Sequence, residues 1–229
     1  MPVVMYCLPV DQGFCYLLQQ SRPPKRCTMI TTVVFDLGNV LIPWDPRWLF
    51  RKLLPDEAAV DRFLREVDFA TWNARLDGGR SFTESIDELG QRFPHYRHLA
   101  QAYLDRWEEA IGPTVPESLA VLQELQAAGL RTLALTNFAR ETFVITRRSR
   151  RFLEDFDGIV VSGEEKMTKP DPAIYQLLFE RHGVSPAEAV FIDDSAANVA
   201  TASKLGMHAV HFTTPDCLRP ALRELQLPV

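Results

Sequence analysis

The stretch TTVVFDLGNVLIPWD, residues 31–45, constrains the fold more than any other part of the chain. Four β-favouring residues, Thr32–Phe35, run directly into Asp36, and Gly38 and Asn39 follow within three positions. A carboxylate at the tip of an apolar strand is costly unless another group pairs with it. The rest of the chain must therefore supply a partner for Asp36, unless this aspartate only forms a turn.

From residue 114 onwards, short apolar segments alternate with amphipathic ones. Strands are predicted at 131–137, 158–162, 189–194 and 208–212, and helices at 114–128, 140–153, 172–182, 195–205 and 215–225. Alternating strands and helices favour a parallel sheet that is covered on both sides. The predicted fold is therefore α/β: a Rossmann-like parallel sheet with helices on both faces.

Residues 46–111 break this alternation, because they show only helical periodicity. All four tryptophans, Trp44, Trp48, Trp72 and Trp107, fall in or beside this segment, and we expect them to form its own small core. The predicted organisation has three parts: an N-terminal extension of uncertain order at 1–28, an α/β core at 29–44 and 112–229, and a helical cap at 45–111. A cap inserted after the first strand would lie above the sheet edge and exclude water.

Charge and cysteine usage exclude several classes of function. The chain of 229 residues has a net charge of −5, so nucleic acid is disfavoured as a partner. No apolar run is long enough to cross a membrane. The four cysteines show no spacing typical of a zinc site, and reduced thiols in the cytoplasm fit them best. The sequence leaves the oligomeric state open.

Polar residues follow three of the predicted strands at the point where each strand ends. Asp36, Thr136 with Asn137, and Asp193 with Asp194 should meet at one sheet edge, because ligands bind beyond the carboxyl ends of parallel strands. Carboxylates without cysteine or histidine favour a hard cation such as Mg²⁺. A cation with a lysine, a hydroxyl and an amide is what a phosphoryl group needs, and one carboxylate is then free to attack phosphorus.

The motifs FDLGNV, LTN, Lys169 in KPDP, and FIDDSAAN stand in the order found in the haloacid dehalogenase-like (HAD) hydrolase superfamily, which this chain resembles from Thr31 to the C-terminus. The resemblance includes a C1-type cap after the first motif. It is nearest to bacterial phosphatases that carry DLGNV, a sugar-phosphate phosphatase among them. It implies a Mg²⁺-dependent phosphatase that acts on a small phosphorylated metabolite, such as a sugar phosphate, through an aspartyl-phosphate.

The resemblance also implies a role for each site residue. Asp36 would be the nucleophile and a metal ligand, Gly38 would ligate the metal through its carbonyl, and Asp193 and Asp194 would complete the metal site. Thr136 and Asn137 would hold phosphoryl oxygens, and Lys169 would stabilise the charge. Asn198 stands where the family often has a further acid. The loop 77–80 is similar to the loop of C1-type caps that enters the active site. Arg80 in this loop is the candidate to bind the substrate. The alternative is that Arg80 faces solvent.

One departure from the family pattern concerns Gly38. Most phosphatases of the superfamily have a second aspartate there, which protonates the leaving group and later activates water; such help is typically worth about 10²–10⁴-fold. Either a nearby group such as Asp45 or a cap residue replaces it, or the substrate is an acyl, anomeric or aryl phosphate whose leaving group needs little help.

Two alternative functions stay open at this point. Metal-free 2-haloacid dehalogenases resemble the chain in fold and nucleophile, although they carry an aromatic residue at the position of Gly38 and serine-type residues at those of Asp193 and Asp194. A non-catalytic binding protein on the same fold is the other alternative.

Overall fold

The computed structural model describes residues 29–229 and contains one parallel sheet of five strands in the order β3-β2-β1-β4-β5. The strands are β1 (Thr32–Phe35), β2 (Arg131–Thr136), β3 (Gly158–Val161), β4 (Ala189–Asp193) and β5 (His208–His211). The α/β fold predicted from the alternating pattern is confirmed. The expectation for residues 1–28 lies outside the described residues.

Both faces of the sheet are covered, which explains why the inner strands β1 and β4 are fully buried and mostly apolar. Successive side chains of a strand point to opposite faces. Val33 and Phe35 pack on one face with residues of the helices Pro116–Ala127 and Pro215–Glu224. Val34 packs on the other face with residues of the helices Pro172–His182 and Ala196–Lys204. Helices thus cover the sheet on both sides.

Eleven α-helices lie among the described residues, numbered here in chain order. They are α1 (Arg47–Phe50), α2 (Glu57–Glu66), α3 (Phe69–Asp77), α4 (Phe82–Arg92), α5 (Arg97–Asp105), α6 (Pro116–Ala127), α7 (Arg140–Ser149), α8 (Ser162–Glu165), α9 (Pro172–His182), α10 (Ala196–Lys204) and α11 (Pro215–Glu224). Helix α5 ends at Asp105, inside the segment 46–111 that was predicted to be helical, and α7 ends at Ser149, short of the predicted bound at 153. A short 3₁₀ helix follows each of them, at Trp107–Glu109 and Arg151–Asp155.

Side-chain caps explain where some helices begin. Ser81 accepts a hydrogen bond from the backbone N–H of Glu84 at the start of α4, and Asp171 accepts one from Ala173 at the start of α9. The start predicted for the helix at 114–128 is wrong by two residues. Helix α6 begins at Pro116, after Val115 in extended conformation and without a side-chain cap, because the proline itself occupies the first turn.

Helices α1–α5 follow β1 and precede β2. This is where the sequence predicted a helical insertion. Their aromatic side chains pack edge to face: the ring of Phe50 lies 4.8 Å from that of Phe63 and 5.5 Å from that of Phe69. Trp72 joins this cluster, as predicted for the tryptophans. We call residues 45–111 the cap segment; its division from the core remains a prediction. No helix within residues 29–229 is both long and apolar enough to cross a membrane.

Candidate active site

Strand β1 lies in the middle of the sheet, and Asp36 lies immediately beyond its end. The backbone N–H of Asp36 donates to the carbonyl of Ile192 at 2.8 Å, which extends the pairing of β1 with β4. Its side-chain Oδ1 accepts a hydrogen bond of 2.7 Å from the backbone N–H of Leu37 and lies 2.9 Å from Lys169 Nζ. The partner that the buried carboxylate of Asp36 required is therefore Lys169.

Lys169 bridges two carboxylates in the protein interior. Its Nζ lies 2.9 Å from Asp36 Oδ1 and 2.7 Å from Asp193 Oδ2, and its side chain is 1% exposed. Burial lowers the pKa of Lys169, but Asp36 and Asp193 outweigh burial and raise that pKa above its ordinary value. The ammonium group consequently keeps its proton and holds the two carboxylates together.

Asp193 is fully buried, and both of its carboxylate oxygens accept hydrogen bonds. Its Oδ1 accepts from the backbone N–H of Ser195 at 2.8 Å, and its Oδ2 accepts from Lys169. The side-chain amide of Asn198 lies 3.0 and 3.1 Å from the two oxygens. Asp193 thus fixes Lys169 and the start of α10, and Asn198 supports it as an amide donor where the family often has an acid.

Asp36, Asp193 and Asp194 each offer a carboxylate oxygen, and these three oxygens lie within 4.8 Å of one another. Asp194 is the most accessible of the three, and its Oδ2 accepts only a long hydrogen bond of 3.3 Å from Asn39 Nδ2. Three carboxylates against the single charge of Lys169 leave negative charge uncompensated. A divalent cation would balance it, so the residues fit a hard metal ion.

The ionisation of Asp36 supports the same fit. Burial is the largest influence on its carboxyl group and, with Asp193 and Asp194 adding to it against the opposing effect of Lys169, raises the pKa of Asp36 to about 7. Only an ionised carboxylate is nucleophilic. A cation bound at this cluster would favour the ionised form, so it would supply the charge that Lys169 alone does not.

A tight turn after β1 presents Gly38 and Asn39 to the cavity. Asn39 has a left-handed φ of 55°, and its side-chain Oδ1 accepts from the backbone N–H of Trp44 at 3.0 Å. A Cβ atom added at Gly38 would meet no heavy atom within 4 Å. Space for a side chain therefore exists at Gly38, although the sequence places none there.

Thr136 and Asn137 differ in how their side chains are used. Thr136 is fully buried at the end of β2, and its Oγ1 has no hydrogen-bond partner among the described residues. Such an atom is costly unless a ligand completes it. The side chain of Asn137 donates to the carbonyl of Lys169 at 2.9 Å and accepts from its N–H at 2.8 Å. The side chain of Asn137 thus positions the lysine backbone and lines the cavity, whereas Thr136 has an unpartnered hydroxyl but is not among the residues that line the cavity.

Asp77, which no feature of the sequence singled out, lies at the end of α3 and lines the same cavity as Asp36 and Lys169. Its Oδ2 accepts from Asn73 Nδ2 at 3.0 Å. The backbone carbonyl of Asp77 accepts a hydrogen bond of 2.6 Å from the hydroxyl of Ser162 in the core. The cap loop 77–80 was expected to enter the site, but Asp77 was not distinguished from its neighbours.

The two other cap candidates lie away from the cavity. Arg80 forms an ion pair with Glu88 of α4, and Asp45 accepts a hydrogen bond of 2.8 Å from the backbone N–H of Arg47. Neither Arg80 nor Asp45 is among the residues that line the cavity. The position of Arg80 matches the solvent-facing alternative.

The cavity at the sheet edge has a volume of about 290 Å³ and has polar and apolar walls. The polar side is formed by residues already described. The apolar side chains come from the loop after β1, the cap segment and the loop after β2: Ile42, Trp44, Phe82, Trp107, Ile111 and Phe138. Trp44 and Trp107 were expected in the core of the cap. They face the cavity because the cap segment closes over the sheet edge.

The parallel sheet gathers three carboxylates and a lysine at its carboxyl edge, beside the cavity, which is the arrangement of an α/β enzyme with its candidate site at that edge. A family model described as haloacid dehalogenase-like hydrolase matches residues 30–206, and the chain belongs to this family of hydrolases. The structure and this match together confirm the family and the fold expected from the four motifs.

Two curated proteins that resemble the chain differ in their length and in the activity that their names give. A sesquiterpene phosphatase of Aspergillus oryzae is 27% identical over 199 residues, which is 87% of this chain and 98% of that protein. Acyl-CoA dehydrogenase family member 10 of Mus musculus is 28% identical over 206 residues, 85% of this chain. The chain spans only 18% of the length of that second relative.

Among solved structures, a HAD family enzyme from Bacteroides thetaiotaomicron in complex with magnesium and inorganic phosphate is 24% identical, with a TM-score of 0.64. The match covers 80% of this chain and 94% of that one. At this level of identity, the likeness concerns the fold.

Proposed function

We propose that this protein is a Mg²⁺-dependent phosphatase that hydrolyses a small phosphorylated metabolite through an aspartyl-phosphate on Asp36. The observation that carries the proposal is the bridge from Lys169 to Asp36 and Asp193, beside a third carboxylate at Asp194. A buried lysine and a cation-binding cluster around one carboxylate suit the transfer of a phosphoryl group to that carboxylate.

Each residue has a defined part in this reaction. The free oxygen of Asp36 attacks phosphorus while Lys169 offsets negative charge on the nucleophile and the phosphoryl group. The unpartnered hydroxyl of Thr136 donates to a phosphoryl oxygen, and Asn137 keeps Lys169 in place. Asp36, Asp194 and the carbonyl of Gly38 would hold Mg²⁺, with Asp193 behind them, and the bound ion supplies charge neutralisation for the phosphoryl oxygens.

The apolar wall of the cavity bears on the substrate. Trp44, Phe82, Trp107 and Phe138 offer few hydrogen bonds to the hydroxyls of a sugar, whereas they pack well against an alkyl or aryl group. One of the relatives is a sesquiterpene phosphatase, which agrees with an apolar leaving group. We therefore favour a phosphate monoester with a compact apolar leaving group over the sugar phosphate that the sequence resemblance first indicated.

The dehalogenase alternative gains no support from the site. A metal-free haloacid dehalogenase has no need for two further carboxylates beside its nucleophile, and those of Asp193 and Asp194 attract a cation. A non-catalytic binding protein would not need the ion pair between Asp36 and Lys169, which is expensive to bury. We keep the expectation of a cytoplasmic protein, which rests on the cysteine pattern alone.

The decisive experiment measures hydrolysis of p-nitrophenyl phosphate with Mg²⁺ and after chelation by EDTA. We expect activity with Mg²⁺, little after chelation, and none for Asp36→Asn, which keeps the size of the side chain. Exposed Asp87→Asn, in α4, is the matched control and should behave as wild type. Metal-independent release of chloride from 2-chloropropionate would instead favour the dehalogenase.

The substrate class requires a separate comparison. A panel should pair apolar monophosphates, such as phenyl, benzyl and short terpenyl phosphates, with glucose phosphates at equal concentration. We expect a higher kcat/KM for the apolar members, and Trp107→Ala should reduce that preference because it removes part of the apolar wall. Higher kcat/KM for the sugar phosphates would restore the original expectation and reject ours.

A further inference from the structure

We propose that Asp77 is the acid–base residue of this active site and replaces the carboxylate that Gly38 lacks. The inference rests on the proposed phosphatase function, which it deepens. The geometry points to Asp77 because it brings a carboxyl group from the cap segment into the cavity that contains Asp36, Gly38 and Lys169. Gly38 has open space where a side chain would otherwise extend, so the usual place of the second acid is unfilled.

The position of Asp77 is set by contacts with the core. The hydroxyl of Ser162 donates to the carbonyl of Asp77 at 2.6 Å and accepts from the backbone N–H of Phe138 at 2.9 Å. Gly79 has a φ of +91°, and a Cβ atom there would lie 2.8 Å from Lys166 Cγ and 3.0 Å from the carbonyl of Gly163. The loop is thus pressed against the core, which keeps Asp77 beside the sheet edge rather than in solvent.

A directed chain of hydrogen bonds determines which oxygen of Asp77 carries the proton. The indole N–H of Trp44, which can only donate, donates to the hydroxyl of Tyr103 at 3.0 Å. Tyr103 then donates to Asn73 Oδ1 at 3.0 Å, and Asn73 Nδ2 donates to Asp77 Oδ2 at 3.0 Å. Because Oδ2 already accepts this hydrogen bond, we assign the acidic proton to Oδ1. Tyr103 and Asn73 are therefore positioning residues for the acid.

The local electrostatics suit this role. Burial raises the pKa of Asp77 to about 7, the backbone N–H of Ala139 opposes the rise, and the charge of Asp36 adds to it while that of Lys169 opposes it. Tyr103 also faces Asp77, and its pKa is raised well above 10 by burial, so it stays a neutral donor. An acid with a pKa near neutral pH can both give and take a proton, as the two halves of the reaction require.

The proposed steps conserve atoms and charge. In the first, Asp36 forms a bond to phosphorus, the bond from phosphorus to the leaving oxygen breaks, and that oxygen takes the proton from Asp77 Oδ1. In the second, the Asp77 carboxylate takes a proton from water as the water oxygen attacks phosphorus. The bond from phosphorus to Asp36 then breaks, which releases inorganic phosphate and returns Asp77 to its protonated form.

The test compares leaving groups in the Asp77→Asn variant of the full chain. An alkyl phosphate needs protonation of its leaving oxygen, so its kcat/KM should fall by about 10²–10⁴-fold. p-Nitrophenolate leaves without help, so the first turnover with p-nitrophenyl phosphate should stay near wild type. Its steady-state rate should still fall, because water must attack the phosphorylated enzyme without a base.

Controls separate chemistry from folding and from the proposed function. A second variant, Asp77→Ser, and thermal melting curves of both variants show whether a loss of activity comes from misfolding. Asp87→Asn controls for the loss of a carboxylate elsewhere in the cap segment. Three results would overturn the assignment to Asp77. The first-turnover rate of Asp77→Asn could fall equally for both substrates, or it could fall for neither. Alternatively, Asp45→Asn could lose the activity toward alkyl phosphates instead. A wild-type protein without phosphatase activity would reject the proposed function itself, whereas an active wild type with an unaffected Asp77→Asn rejects only this inference.

Discussion

Ser162, at the start of α8, donates a hydrogen bond of 2.6 Å to the backbone carbonyl of Asp77, at the end of α3. This contact joins the cap segment to the core at the edge of the active site. It also explains how an enzyme with glycine at the position of the usual second acid keeps a carboxyl group within its cavity. The cap segment would therefore both cover the active site and supply a carboxyl group to the reaction.

The first prediction concerns the pH dependence of hydrolysis of an alkyl phosphate. Asp77 must be protonated to act as an acid, and its pKa is raised to about 7. Above that pH the protonated fraction falls about tenfold per unit, so kcat/KM should decline with the same slope. A pH–rate profile of Asp77→Asn should lack this limb. A limb of unchanged position and slope in the variant would assign it to another group.

The second prediction restores the missing acid at its usual place. A Cβ atom at Gly38 meets nothing within 4 Å, so Gly38→Asp should be accommodated. In the Asp77→Asn background, Gly38→Asp should recover at least about tenfold of the lost kcat/KM toward alkyl phosphates. Gly38→Asn in the same background is the matched control, since it fills the space but cannot transfer the proton. Equal recovery by both substitutions would mean that the effect is steric.

The third prediction tests the loop that holds Asp77. Gly79→Ala introduces a Cβ atom at a φ of +91° and against the carbonyl of Gly163, which should cost about 1–3 kcal/mol of stability. We expect the loop to shift and activity toward alkyl phosphates to fall more than the first turnover with p-nitrophenyl phosphate. Gly129→Ala is the control. Gly129 follows α6 and also has a positive φ, of +80°, but a Cβ atom there meets nothing within 4 Å.

The fourth prediction links Asp77 to stability. Its pKa rises from 3.8 when unfolded to about 7 when folded, so the folded state binds more protons between these values. The contribution of Asp77 to the free energy of unfolding is therefore most favourable to the folded state below about pH 4, and this contribution is lost as the pH rises through about 7. Asp77→Asn cannot ionise and should stabilise the metal-free protein at about pH 8 by about 1–3 kcal/mol, with little effect at about pH 4. Urea denaturation at both pH values measures this difference; greater stabilisation at the lower pH would contradict it.

Much of the core site could be predicted from the sequence, because its residues follow strands. The carboxyl ends of parallel strands meet at one edge, and so the positions of Asp36, Thr136 and Asp193 in sequence specified their proximity in space. Lys169 was expected from the family motif. Its contact with both Asp36 and Asp193 required the structure, since nothing in a loop lysine specifies two partners.

The cap was harder to interpret, because its residues act through contacts between distant segments. Asp77 stands in a loop with two glycines and an arginine, and no periodicity distinguishes it from a turn residue. Its significance comes from Asn73 one turn earlier on α3, from Tyr103 and Trp44 on other segments, and from Ser162 in the core. The one signal available was the absence of an acid at Gly38, which required a substitute but did not identify it.

The direct test of the account is to find the phosphoryl group on Asp36. The enzyme should be mixed with Mg²⁺ and p-nitrophenyl phosphate, quenched in acid within the first turnover, digested and sequenced by mass spectrometry. We predict one phosphoryl group on Asp36, more of it in Asp77→Asn because its hydrolysis is slowed, and none in Asp36→Asn. A phosphatase that turns over rapidly in Mg²⁺ but shows no phosphorylated Asp36 in either the wild type or Asp77→Asn would contradict the account.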